Sequence, residues 1–156
     1  MRPQRFMDFA VRTYSAAGLE AEPWQDGTKR PFGVRVRLPG GGQIWHAVTA
    51  AAPPGEDYAA PEQPVEKEAP APVPLPALGN GPVPVPAAEQ YLAALLTNAG
   101  SLEIIRAYGY SGREASSQNP GLGVEFHSGG KIHCVFVHAA RAGQQRGQEY
   151  ALPGEI

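Results

Sequence analysis

Residues 33–48, GVRVRLPGGGQIWHAV, and residues 123–137, GVEFHSGGKIHCVFV, decide how this chain is read. In the first, Val34, Val36 and Leu38 alternate with Arg35 and Arg37 before a run of three glycines. In the second, Val124 and Phe126 flank Glu125 before Gly129 and Gly130. A period of two marks a strand with one buried face, and consecutive glycines supply the positive φ angles of a tight reversal. Each stretch therefore predicts a β-hairpin. With even-numbered loops, Val34, Val36, Trp45 and Ala47 share one face, opposite Arg35, Arg37, Ile44, His46 and Val48. The same rule groups Val124, Phe126, His133 and Val135, opposite Glu125, His127, Ile132, Cys134 and Phe136.

Upstream of each hairpin the period changes to that of a helix. Phe6, Phe9, Ala10, Thr13, Tyr14 and Ala17 predict an amphipathic helix over about 5–17, stopped by Gly18. Tyr91, Leu92, Leu95, Leu96 and Ala99 predict a second one, beginning after Pro86 and closed by Gly100. A short strand candidate follows each stop, LEAEPW from Leu19 and SLEIIRAYGY from Ser101. The two halves then match as helix, Ala-Gly, strand, loop and hairpin. The match needs eight extra residues in the second loop, SGREASSQNP, and two in the first turn. A unit of about 45 residues cannot bury both its helix stripe and its sheet face alone. The expected fold is therefore α+β, with two similar α-β-β-β halves pairing into one mostly antiparallel sheet of five or six strands and two helices on one face.

The expected organisation is a first half over 1–50, a Pro/Ala-rich acidic linker over 51–87, a second half over 88–140 and a polar tail over 141–156. Residues 51–87 carry one base, five acids and most of the 17 prolines, with few large apolar residues to form a core. Proline at alternate positions (70, 72, 74, 76 and 82, 84, 86) favours an extended, semi-rigid spacer. Aromatic grooves that bind such segments read prolines three apart, a spacing that only Pro61 and Pro64 satisfy here. In the tail, Tyr150 and Leu152 are the residues that could dock.

Charge and composition exclude several classes. The net charge is −2, with no strong field of either sign, and no apolar run reaches the roughly 18 residues of a membrane span. A single cysteine makes no internal disulfide, in keeping with a reducing, cytoplasmic setting. Ten arginines against three lysines, with much Gly, Pro and Ala, fit a GC-rich bacterial or phage genome.

The chemistry-bearing residues group weakly. His133 and Cys134 are adjacent in a strand and point to opposite faces, so they cannot grip one metal. A zinc site would need His127, Cys134 and His138 from one hairpin, without finger spacing. A cysteine nucleophile needs a base and solvent, whereas Cys134 is flanked on its face by Ile132 and Phe136. Neither GYSGR at Gly109 nor GLGVEF at Gly121 has the context of a nucleophile elbow or a dinucleotide loop. No catalytic residue, metal or cofactor is therefore expected. Lys29, Arg30, Arg35, Arg37 and His46, with Trp24 and Trp45 near, form the basic cluster a nucleic acid would use. Val48, Ile132 and Phe136 lie on a mixed sheet face that a partner protein or a second copy would cover. The expectation is a non-enzymatic module for protein binding or self-association, with nucleic-acid binding as the alternative and a cysteine-dependent enzyme third.

Overall fold

The computed structural model describes residues 1–113 and 119–156. Helix α1, Pro3–Ala16, starts with proline in its first turn and buries Phe6, Met7, Ala10 and Tyr14, a stripe spaced by three and four. Its end is fixed by Gly18, at φ 84°: the Gly18 amide bonds Ser15 O at 3.0 Å and the Leu19 amide bonds Tyr14 O at 3.1 Å. This pair of bonds makes a Schellman cap, which requires the left-handed conformation at that glycine. Helix α2, Val85–Asn98, is also followed by a left-handed glycine, Gly100, at φ 69°.

Among the described residues, seven antiparallel strands form a curled sheet, a half-barrel: β1 Glu20–Pro23, β2 Gly33–Arg37, β3 Gln43–Ala47, β4 Thr49–Ala51, β5 Ile104–Gly109, β6 Gly121–Phe126 and β7 Lys131–Ala140. The order is β1-β2-β3-β7-β6-β5. The ten-residue β7 pairs with β3 along its second part and with β4 along its first. A register shift between Trp45 and His46 lies within the β3 pairing. Side chains of both helices join the sheet's inner face in one core that includes Phe6, Tyr14, Leu92 and Leu96 with Val36, Ile44, Phe126 and Phe136.

The hairpin turns overturn the expected faces. Each has three residues between its last bonded pair, Leu38 with Gly42 (2.8 Å) and Phe126 with Gly130 (3.1 Å). Gly41 and Gly129, both at φ 87°, occupy the third turn position, the left-handed site of a three-residue loop. The two turns have equal length, so no extra residues sit in the first. An odd loop shifts the pairing by one, and with a side-chain period of two this exchanges whole faces. Val34 stands opposite His46 and Val36 opposite Ile44; Leu122 stands opposite Cys134 and Val124 opposite Ile132. All eight side chains are buried. Val48, Ile132 and Phe136, expected to await a partner, are 3%, 0% and 0% exposed beneath the helices of their own chain.

Residues 52–84 run from β4 to α2 and touch the body repeatedly. Arg2 bonds Glu56 and the carbonyls of Asp57 and Ala60, the Lys67 amide bonds Leu102 O, and Val73 exchanges two bonds with the Asn98 side chain. The tail is also attached: Tyr150 N bonds Val137 O at 2.7 Å, and Ile156, 2% exposed, trades two backbone bonds with Val83. Of the extra loop residues in the second half, 114–118 lie outside the described residues. No helix among the described residues is long and apolar enough to cross a membrane.

Candidate binding surface

Cys134 and His46 both project from the sheet into the core, against α1. Both are 0% exposed, and the Tyr14 and His46 rings meet edge to face at 6.1 Å. Burial pushes the Cys134 thiol well above its ordinary value and holds His46 down at about 4. A protonated, inaccessible thiol is a poor nucleophile. The three residues considered for zinc are scattered. Cys134 faces inward, His127 bonds Glu68 O from the turn, and the irregular pairing beside Val137 turns His138 outward, to Gly147 O at 2.9 Å. Among the described residues no group of three or more His, Cys, Asp or Glu side chains converges.

The Tyr14 hydroxyl and His46 Nε2 are buried without a hydrogen-bond partner. Such a hydroxyl costs roughly 1–3 kcal/mol relative to an apolar group of the same shape. Tyr14→Phe is therefore expected to raise the urea midpoint at unchanged slope, by about 1 kcal/mol of stability. A loss of stability would mean that the hydroxyl has a partner after all.

The basic cluster of the first half is dispersed and neutralised. His46 is in the core. Arg30, 6% exposed, pairs with Asp26 at 2.6 Å and with Glu149, and bonds the Tyr150 hydroxyl at 3.1 Å. Lys29 shares Glu149 at 3.0 Å. Arg35 reaches Glu22 (2.7 Å) and Glu20 (3.4 Å), and Arg37 reaches Glu20 at 3.0 Å. Trp24 and Trp45 are occupied too, set edge-on to His138 in a small second core on the outer face.

Cations exceed acids elsewhere, on the outer face of β5, β6 and β7. Arg106 forks onto Glu125 at 2.8 and 3.0 Å, Lys131 reaches the same carboxylate at 3.2 Å, and Arg113 lies 4.0 Å above the Tyr110 ring. The two cations hold the Glu125 carboxyl below the usual range. Tyr110 and His133 Nδ1 are 2.9 Å apart, and burial, then Lys131 and Arg113, keep His133 below its ordinary value. Glycines make room for this layer: a side chain at Gly123 would lie 2.4 Å from the Tyr108 ring, and one at Gly121 would lie 3.1 Å from Tyr110. In sequence these residues are spread over three strands and carry no motif, so only their pairing reveals them.

At the border of this face the sheet ends in β5. The glycine at 109 is required there, since a Cβ would stand 2.8 Å from that of Glu89 on α2. The Phe126 amide bonds Gly130 O on the β7 side and the His127 amide bonds Glu103 O on the β5 side, so alternation along β6 turns Glu125 and Gly123 toward Arg106 and Tyr108 and leaves the Ala107 and Gly109 backbone groups pointing away from β6. No strand lies beyond β5 among the described residues. Leu102 and Ile105 stand beside this edge, 49% and 45% exposed, and Val65 on the adjoining segment is exposed as well. At the far end of the strand order, β1 carries Glu20, Glu22 and Pro23, residues that blunt strand addition, and the further edge at β4, which pairs only with β7, is three residues long.

A groove of about 450 Å³ between the helix ends is lined by Phe9, Thr13 and Leu95, with Arg12 its only ionisable side chain. In comparison with known proteins, the chain matches no family model, no curated protein and no solved structure.

Proposed function

We propose that this protein is a non-enzymatic binding module that engages another protein along the β5 edge. The observation that carries this reading is the contrast between the two ends of the strand order, β1 and β5. One is blunted by charge and proline; the other has no further strand among the described residues and is bordered by exposed Leu102 and Ile105. Apolar groups beside unpaired backbone are the usual makings of strand-addition contacts. The nucleic-acid reading through Lys29, Arg30, Arg35, Arg37 and His46 is less favoured, because each of the four cations already has a carboxylate and the histidine is buried.

The two halves are further read as sibling modules, with residues 51–87 as the connector between them. Equal turns, helices of 14 residues each and a strand order that runs first, second, third inward from either edge support this. Each half supplies one of the two paired central strands, β3 and β7, so neither closes a core alone.

A photo-cross-linking residue placed at Ile105 tests the binding surface, with the same residue at Glu22 on the other edge as control. Both positions are exposed, so the fold should tolerate them. Protein adducts are expected from position 105 in cells that express the chain, and few from position 22. Equal adducts from both, or none from 105, would sink the reading.

A further inference from the structure

We propose that the occupant of the β5 edge is an extended acidic segment of a partner protein, added as an antiparallel strand with carboxylates at alternate positions. The proposal rests on the protein-binding reading above and specifies the chemistry of the partner. Side chains of an added strand alternate between the two faces of the sheet. On the outer face, every second residue of the guest would lie beside Arg106, Tyr108 and Arg113. Among the described residues that face holds Arg106, Arg113 and Lys131 against Glu125, three positive charges to one negative. Arg113 has no carboxylate partner among the described residues, and Arg106, with its side chain 62% exposed, presents its charge at the rim. The intervening guest residues would turn toward the α2 side of the edge.

Charge decides against the two other occupants. A second copy paired two-fold about Ala107 would set each Arg106 close to its counterpart and bring two surfaces of net charge +2 together. A single-stranded nucleic acid would need free ring faces. Tyr110 is 5% exposed beneath Arg113, and Tyr108 lies against Gly123 with arginines at 5.0 and 5.9 Å.

The test is a titration of the ¹⁵N-labelled full chain with an eight-residue peptide of alternating Glu and Val. The same peptide with Lys for Glu and a ten-residue oligothymidylate serve as comparisons. Saturable shifts at the Ile105, Ala107 and Gly109 amides are expected with the Glu peptide alone. The double substitution Arg106→Glu, Arg113→Glu should weaken binding about tenfold or more, the effect of about 1.4 kcal/mol. Ala107→Pro, which removes an outward amide without touching the β6 pairing, should weaken it too. Equal binding of the Lys peptide, preference for the oligonucleotide, a dimer forming through β5, or unmoved Ala107 and Gly109 amides would each overturn the proposal. If cross-links from Ile105 persist while the acidic peptide fails, the error lies in the partner's chemistry. If both fail, the binding surface itself is wrong.

Discussion

Replacing Glu89 by alanine is expected to cost about 3–5 kcal/mol, a large part of the 5–15 kcal/mol that holds a domain of this size together. Glu89 is 0% exposed on α2. Its Oε2 accepts the Ser111 amide at 2.8 Å and its Oε1 the Gly121 amide at 2.6 Å. Those two amides stand at either end of the loop between β5 and β6, so one carboxylate fixes both of its ends to the helix. Hydrogen bonds to a charged acceptor contribute roughly 1.5–3 kcal/mol each, and truncation would leave two buried donors unsatisfied. Glu89→Gln keeps one oxygen but turns an NH₂ group toward the other amide, and should fall between wild type and alanine. Urea unfolding of the three proteins measures the series. An alanine variant within 1 kcal/mol of wild type would show that solvent or a neighbour replaces the carboxylate.

Acid should destabilise the protein between about pH 6.5 and pH 4, through His46. The folded state holds this side chain neutral, at about 4 against an ordinary 6.5, because burial penalises the imidazolium; the bond to Ala47 O offsets only part of that. Over this window the unfolded chain binds a proton that the folded chain refuses, so stability rises with pH. The contribution is fully present above about 6.5 and is lost as the pH falls toward 4. At about 1.4 kcal/mol per tenfold difference in proton affinity, the loss amounts to about 3 kcal/mol. His46→Leu should flatten this part of the stability profile, leaving the smaller contribution of His133, which has the same sign. A profile as steep in the variant as in the wild type would remove His46 as the cause.

The helices and the existence of both hairpins were legible in the sequence because they depend on local periodicity. Phe6, Ala10 and Tyr14 recur every four residues whatever they pack against, and Gly18 and Gly100 stop the helices through backbone freedom alone. The faces were not legible. Three glycines mark a turn but do not count its loop, and one residue of difference moved Ile44, His46 and Ile132 from the supposed surface to the core. His138 was displaced by an irregularity in β7 pairing, which depends on β3, 90 residues away. Glu89 had a signal that could have been used. It lies three residues before Leu92 and seven before Leu96, on the apolar stripe of α2, where a carboxylate must be satisfied from elsewhere in the fold.

Local pattern suffices for the α+β class, two helices with their stops, and two glycine-turned hairpins, since each is set by side-chain periodicity or by glycine φ angles within a dozen residues. Which face those hairpins bury, which arginines find carboxylates and which sheet edge stays open were decided only in the tertiary structure. Those outcomes depend on register between strands far apart in the chain, and register is a property of the assembled sheet rather than of any one segment.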